Sequence, residues 1–232
     1  MKIRRSVKPL LVAAILAAAW PQAATASASD WRFEVLLDDK PIGYHEFSVS
    51  NDGRRQILET EARFDVKFLF ITAFRYRHQN TETWDNGCLS SIEAATNSNG
   101  DMLEVNGQQL DDVFQVSRAS GEATLESCVR TFAYWNPEIL NADKLLNSQT
   151  GEYENVSVVF EGEDRVIVDG SLVDALRYRL IAEAGDIKLW YSSDTARRWL
   201  ALEAPAKGGR TLRYKPVAVP NNLTGGELTA SR

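Results

Sequence analysis

Two histidines, two cysteines and two methionines are all that the 232 residues contain of those types, and this scarcity excludes many catalytic constellations. A zinc site built on His45 and His78 would need carboxylates or cysteines brought in from distant segments. There is no Gly-x-Ser-x-Gly elbow, no phosphate-cradling glycine loop and no His-Glu-x-x-His helix pattern. No catalytic residue, metal or cofactor is therefore assigned. Basic clusters are absent after the first residues, so a nucleic-acid footprint is not expected. No apolar run reaches the ~18–20 residues of a membrane-spanning helix, and no long amphipathic helical period occurs after residue 28.

The opening residues do carry a pattern. Lys2, Arg4, Arg5 and Lys8 precede the apolar run from Leu10 to Trp20, and the small residues Ala23 to Ala28 follow. This is the layout of a secretory signal peptide over residues 1–28, with cleavage after Ala26 or Ala28 equally compatible. The expected location is periplasmic or secreted. The leader holds four bases and no acids, so its removal leaves 22 bases against 32 acids, a balance of −10. An acidic surface does not favour electrostatic attraction to anionic lipid head groups. An exported chain tends to pair an even number of thiols, which predicts a Cys88–Cys128 disulfide closing a loop of about 40 residues.

From Trp31 onward the dominant period is two, the pattern of strands with one buried face. Trp31, Phe33, Val35 and Leu37 alternate with polar residues; His45, Phe47 and Val49 share a face, as do Leu58, Thr60, Ala62, Phe64 and Val66. Phe74, Tyr76 and His78 alternate with Arg75, Arg77 and Gln79. Asp38-Asp39-Lys40-Pro41, Asn51-Asp52-Gly53, Asn86-Gly87, Asn97-Ser98-Asn99-Gly100 and Asp169-Gly170 punctuate these runs as turns. The expected fold class is all-β, an antiparallel meander of roughly 11–12 strands forming an unclosed or closed barrel over residues 29–215. The stretch Thr131 to Asn147 interrupts it. There Trp135-Asn136-Pro137, Glu138-Ile139-Leu140 and Lys144-Leu145-Leu146 suggest one or two short helical turns, with Pro137 at a first helical position. Residues 216–232 read as a disordered tail.

Certain landmarks resemble a known family. Trp31 to Phe47 with Ile42-Gly43-Tyr44-His45, Phe74-Arg75-Tyr76, Glu82-x-Trp84, Cys128 followed by Thr131-Phe132-Ala133-Tyr134-Trp135-Asn136-Pro137, Leu145-Leu146-Asn147-x-x-Thr150-Gly151, and Leu189-Trp190-Tyr191 are similar to domain-of-unknown-function family 6134 of exported bacterial proteins, related to family 3108. The resemblance covers about residues 31–215. It implies a curved or unclosed antiparallel barrel similar to periplasmic lipoprotein carriers of the LolA type. It implies no established activity and carries over no catalytic residues.

Two segments stand out as candidate sites. Phe64, Val66, Phe68, Leu69, Phe70, Ile71 and Phe74 exceed what one face of a half-buried strand requires, so they either line an apolar cavity at a barrel mouth or turn a corner buried on both sides. Phe132 to Pro137 either gates the concave face or closes the core. Phe64, Phe68, Phe70, Phe74, Tyr76, Tyr134 and Trp135 are accordingly the ligand-binding candidates. His45 and His78 read as core or rim residues; Glu59 with Glu61, and the Asp pairs 38–39 and 111–112, read as solvated face and turn residues. Arg75, Arg77, Arg177 and Arg179 anchor an anionic head group if inward, and form a solvated face if outward. The function these features suggest is non-catalytic binding or carriage of an amphipathic or lipidic molecule. The alternatives are an interaction module contacting an envelope protein through a sheet edge or apolar patch, and an enzyme using Cys88 or Cys128 with a histidine.

Overall fold

Two-residue turns in which both residues hold positive φ set the hairpin connections. Asp38-Asp39 (48° and 64°), Asn86-Gly87 (51° and 77°), Asn99-Gly100 (57° and 104°) and Asp169-Gly170 (47° and 74°) all do so. Such turns match the right-handed twist of the strands they join, and Asn, Asp and Gly tolerate them best. The computed structural model describes residues 28–68 and 71–220.

Eight strands form a first meander: β1 (Ala28–Leu37), β2 (Lys40–Asp52), β3 (Arg55–Phe68), β4 (Ile71–Asp85), β5 (Cys88–Ser98), β6 (Asp101–Leu110), β7 (Val113–Arg118) and β8 (Gly121–Glu126). A connection follows that contains a 3-10 turn, Pro137–Asn141, and a small hairpin of β9 (Lys144–Leu146) and β10 (Tyr153–Asn155). A second meander comprises β11 (Ser157–Val168), β12 (Ser171–Ile181), β13 (Ile187–Ser192), β14 (Trp199–Ala206) and β15 (Arg210–Ala218). Because β15 pairs antiparallel with β1, the two meanders fuse into one 13-stranded sheet running β11-β12-β13-β14-β15-β1-β2-β3-β4-β5-β6-β7-β8. Its ends, β11 and β8, do not pair with each other, so the barrel is unclosed. Among the described residues no helix is long and apolar enough to cross a membrane.

The alternation read from the sequence sorts side chains as period two requires. Trp31, Phe33 and Val35 are fully buried, whereas Arg75 and Arg77 pair with Asp65 on the outer face, and Arg177 and Arg179 pair with Glu161, Asp164 and Asp186 there. The four arginines are thus solvated-face residues and supply no inward anchor. Phe33, Phe47, Trp199 and Tyr214 knit the centre of the sheet, with the Phe33 and Trp199 rings 4.3 Å apart.

The connection over residues 127–156 closes the core where the sheet itself does not. Trp135 meets Trp84 of β4 edge to face at 5.9 Å, and Tyr134 meets Trp199 of β14 at 5.4 Å. Tyr191 of β13 donates through its hydroxyl to the Tyr134 carbonyl at 2.8 Å, and Arg118 of β7 donates to the Gly151 carbonyl at 2.7 Å. The insertion therefore bridges both arms of the open sheet. Its entry is fixed covalently: Cys88, at the start of β5, is bonded to Cys128, with Cα atoms 4.6 Å apart. Cys128 sits at φ 64°, and the neighbouring Val129 carbonyl accepts from the Leu89 N–H at 2.8 Å.

The structure departs from the sequence reading at several points. Lys144-Leu145-Leu146, expected as a helical turn, is strand β9: both leucines are fully buried, Leu146 donates to the Arg130 carbonyl at 2.7 Å, and three residues carry no usable period. Pro137 does open a helical turn, capped by the Asn136 side chain accepting from the Glu138 N–H. Residues 216–218, assigned to the tail, belong to β15, where Pro216 lies opposite Phe33 at a register shift that tolerates its missing N–H. Of the segment expected as a signal peptide, residues 1–27 lie outside the described residues, whereas Ala28 already pairs with Ser50; residues 221–232 of the expected tail also lie outside them. Finally, thirteen strands share the main sheet, and β9 and β10 form a separate pair.

Candidate functional site

The register of β2, β3 and β4 lays inward-facing residues in rows across the sheet. His45 lies opposite Ala62 and Ala62 opposite His78; Phe47, Thr60 and Asn80 form the next row, and Val49, Leu58 and Glu82 the one after. At about 4.8 Å between neighbouring strands, the His45 and His78 backbones stand roughly 10 Å apart. Along β4 the same parity brings Tyr76, His78, Asn80 and Glu82 to one face, followed by the buried Trp84.

The insertion covers these rows without filling them. A cavity of about 210 Å³ remains, floored by His45, Phe47, Thr60, His78, Asn80 and Glu82. Phe132, Tyr134, Gln149 and Glu154 of the insertion roof it, and Ala184, exposed in the β12–β13 connection, stands at its margin. The volume corresponds to about seven waters at their liquid share of space. A groove of about 700 Å³ on the other face of β1–β4 is larger, but its lining includes Arg32, Glu46, Glu59 and Glu61, the solvated charges of the sheet.

The polar groups of the cavity are unusually buried. The His45 ring stacks on Phe47 with centroids 4.0 Å apart, and its Nδ1 lies 3.1 Å from the Tyr214 hydroxyl. Desolvation holds its pKa well below the ordinary histidine value, helped by repulsion from His78. His78 Nδ1 lies 2.8 Å from Thr96 Oγ1, and burial lowers its pKa to about 4. Both imidazoles are thus neutral at neutral pH, each offering one donor and one acceptor. Burial pushes the Tyr76 and Tyr134 phenols upward, so both stay protonated; Tyr76 donates to Gln149 Oε1 at 3.1 Å.

Glu82 is wholly buried and accepts three hydrogen bonds: from Asn80 Nδ2 and Trp84 Nε1, each at 2.9 Å, and from Thr131 Oγ1 at 3.1 Å. Burial raises its pKa, and the three donors oppose that rise. Glu154, also buried, accepts from Asn147 Nδ2 through Oε1 at 2.9 Å. Three buried polar atoms on cavity-lining side chains have no protein partner: His45 Nε2, Asn80 Oδ1 and Glu154 Oε2. No Lys or Arg lines the cavity among the described residues.

Of the residues singled out from sequence, Tyr76 and Tyr134 line this cavity. Phe64 is buried and stacks on Tyr76 with centroids 5.1 Å apart, supporting it from the side, while Trp135 seals the core against Trp84. Phe74 is exposed and lies away from the cavity. Phe68 lies at the end of β3, and Phe70 falls outside the described residues. His45, His78, Thr60, Asn80, Glu82, Gln149 and Glu154 are cavity residues that pattern reading did not select. One signal was available: on β4, His78, Asn80 and Glu82 occupy the inward parity of Tyr76 and Trp84, where an ordinary core strand would carry apolar residues. Both cysteines are joined in the disulfide, so neither is a free thiol in this structure. Neither Ser148 nor Thr60, the aliphatic hydroxyl residues lining the cavity among the described residues, is hydrogen-bonded to an imidazole.

A family model for a domain of unknown function, DUF6134, matches residues 33–217. The chain belongs to the DUF6134 family. No curated protein matches it. Among solved structures, the beta-barrel-like protein of domain of unknown function DUF1849 from Brucella abortus superposes with a TM-score of 0.59 at 12% identity, over 82% of this chain and 95% of that one. At such identity the likeness is one of fold, and it agrees with the unclosed barrel of this DUF6134 chain.

Proposed function

We propose that this DUF6134 protein is an exported, non-catalytic binding protein that holds a compact amphipathic molecule between β2–β4 and the insertion. The observation that carries this reading is the clustering of His45 Nε2, Asn80 Oδ1 and Glu154 Oε2, buried and without protein partners, around one cavity that also presents Phe47, Phe132, Tyr76 and Tyr134. Buried polar groups are almost always hydrogen-bonded, and leaving one unmatched costs about 1–3 kcal/mol. A ligand that satisfies them while burying an apolar body would recover that cost. Export is supported by the leader pattern of residues 1–28 and by the Cys88–Cys128 disulfide.

The cavity bears on ligand size. Drug-sized ligands occupy pockets of about 300–1,000 Å³, so about 210 Å³ suits a smaller molecule. Native mass spectrometry of the protein purified from periplasm under non-reducing conditions, followed by extraction and small-molecule analysis, tests the reading. A stoichiometric bound mass that is lost in a Thr60→Phe variant supports it. A bare polypeptide that binds nothing from a periplasmic small-molecule extract counts against it.

A second reading, contact with an envelope protein, is favoured by one surface feature. Ile167 and Leu172 are cross-strand partners near the tip of the β11–β12 hairpin and are 59% and 63% exposed, with Phe160 exposed further along the same edge strand. Photo-crosslinking from position 172 in cells tests that contact; absence of any specific adduct would argue against it.

A further inference from the structure

Two of the cavity's three partnerless polar atoms are fixed as acceptors, and the third, His45 Nε2, donates or accepts according to the tautomer. Asn80 commits its Nδ2 to Glu82 Oε1, so its partnerless Oδ1 is necessarily an acceptor. Glu154 commits Oε1 to Asn147 and leaves Oε2, a second acceptor. Neither Glu82 nor Glu154 is paired with a cation, and no Lys or Arg lines the space among the described residues. A buried carboxylate left without a counter-charge is costly, and the cost falls when a donor-bearing cation enters.

We infer that the cavity takes a small organic amine, a primary or secondary ammonium carried on an aromatic or compact apolar body, and rejects carboxylates and phosphates. The inference rests on the reading of this cavity as a binding site and names its ligand class. An ammonium offers up to three donors and no acceptor, which matches Asn80 Oδ1 and Glu154 Oε2. The rings of Phe132, Tyr76 and Tyr134 add a face for the apolar body and an attractive quadrupole for the charge. An anion in the same place would face the acceptors Asn80 Oδ1 and Glu154 Oε2 with no Lys or Arg among the described lining residues to offset them. A neutral alcohol would supply one donor and no charge, and so binds more weakly than the amine of the same shape.

Three probes of one shape decide the matter: phenethylammonium, 2-phenylethanol and 3-phenylpropionate, titrated calorimetrically into the ligand-stripped mature protein at pH 7. The expected result is phenethylammonium binding at least tenfold tighter than 2-phenylethanol, with 3-phenylpropionate not binding. Glu154→Gln, which keeps an oxygen for Asn147, should erase at least tenfold of the amine's advantage and leave alcohol binding nearly unchanged. Equal or tighter binding of 3-phenylpropionate, or an unchanged preference in Glu154→Gln, overturns the ligand class while the cavity stands as a site. If no probe binds and the protein also purifies bare, the binding-site reading falls with it. Should Glu154→Gln fail to fold, the ranking of the three probes on the unaltered protein still decides.

Discussion

Asn80 and Glu82, two residues apart on β4, are joined by a 2.9 Å hydrogen bond from amide to carboxylate along the buried face of the sheet. Strand alternation makes them same-face neighbours, and burial makes their bond obligatory. Trp84 and Thr131 converge on the same carboxylate, so Glu82 ties β4 to the insertion as well as ordering the cavity floor.

Glu82→Leu should therefore destabilise the protein well beyond a simple change of side chain. It strands three buried donors, on Asn80, Trp84 and Thr131, at about 1–3 kcal/mol each, with the sum reduced by relaxation. A loss of about 3 kcal/mol or more in urea unfolding is expected. Glu82→Gln keeps one acceptor oxygen and should cost less. Equal stability of Glu82→Leu and the parent would contradict the described network.

Acid should weaken the fold through the histidines. His78 titrates near 6.5 when unfolded and at about 4 when folded, so between those values the unfolded chain binds the extra proton. Stability attached to His78 is then fully present above pH 6.5 and falls as pH drops through the window to about 4, by on the order of 3 kcal/mol. His45, also held low by burial, acts in the same direction. Glu82, whose pKa burial raises, acts oppositely, costing stability as pH rises through its folded value. Comparing parent and His78→Gln in urea at pH 4, 5, 6 and 7 should show a shallower acid loss in the variant; parallel profiles would be inconsistent with a buried neutral His78.

Gly43 tests the close approach of β2 to β3. A Cβ added there would lie 1.8 Å from the Arg63 carbonyl oxygen, and the backbone holds φ +156°. Neither strand can shift without breaking the Gly43–Phe64 pairing at the end of the row beside His45. Gly43→Ala should cost about 2 kcal/mol or more, lowering Tm by roughly 4–8 °C for a chain of this size. A Tm within 1 °C of the parent would disagree with this geometry.

The disulfide should matter more for the insertion than for the sheet. It closes a span of 40 residues, for which the chain-entropy model gives about 4 kcal/mol. Cys88→Ser with Cys128→Ser should lose a share of that and expose backbone amides of residues 129–156 to hydrogen exchange ahead of β1–β4. The parent should titrate with no thiol before reduction. Uniform loss of protection across the chain would show that the tether does not act locally.

Local rules made much of the architecture legible. Period-two alternation marked the inward faces of β1 to β4, and Asn-Gly and Asp-Gly pairs marked the turns, because a buried face and a positive φ leave direct traces in neighbouring residues. Pairing the only two cysteines followed from their number and the leader pattern. The short segment Lys144–Leu146 was misread as helical because three residues cannot display a period, and its partner, Tyr153–Asn155, lies beyond a loop. Closure of the barrel was also undecided locally, since it depends on whether β11 meets β8, segments about 40 residues apart in the chain.

The site shows the same division. Of the candidates around Phe64 to Phe74 and Phe132 to Trp135 that fall among the described residues, Tyr76 and Tyr134 line the cavity. What the sequence by itself determined is the class of the fold, the inward parity of each strand and the pairing of its cysteines, since each depends on residue type and near-neighbour spacing. Only the tertiary structure decided that His45, Asn80 and Glu154 line a common space and that His45 Nε2, Asn80 Oδ1 and Glu154 Oε2 have no protein partner. That outcome depends on the register of three strands and on an insertion folded back across them, and hydrogen-bond satisfaction is a property of the assembled neighbourhood rather than of any segment.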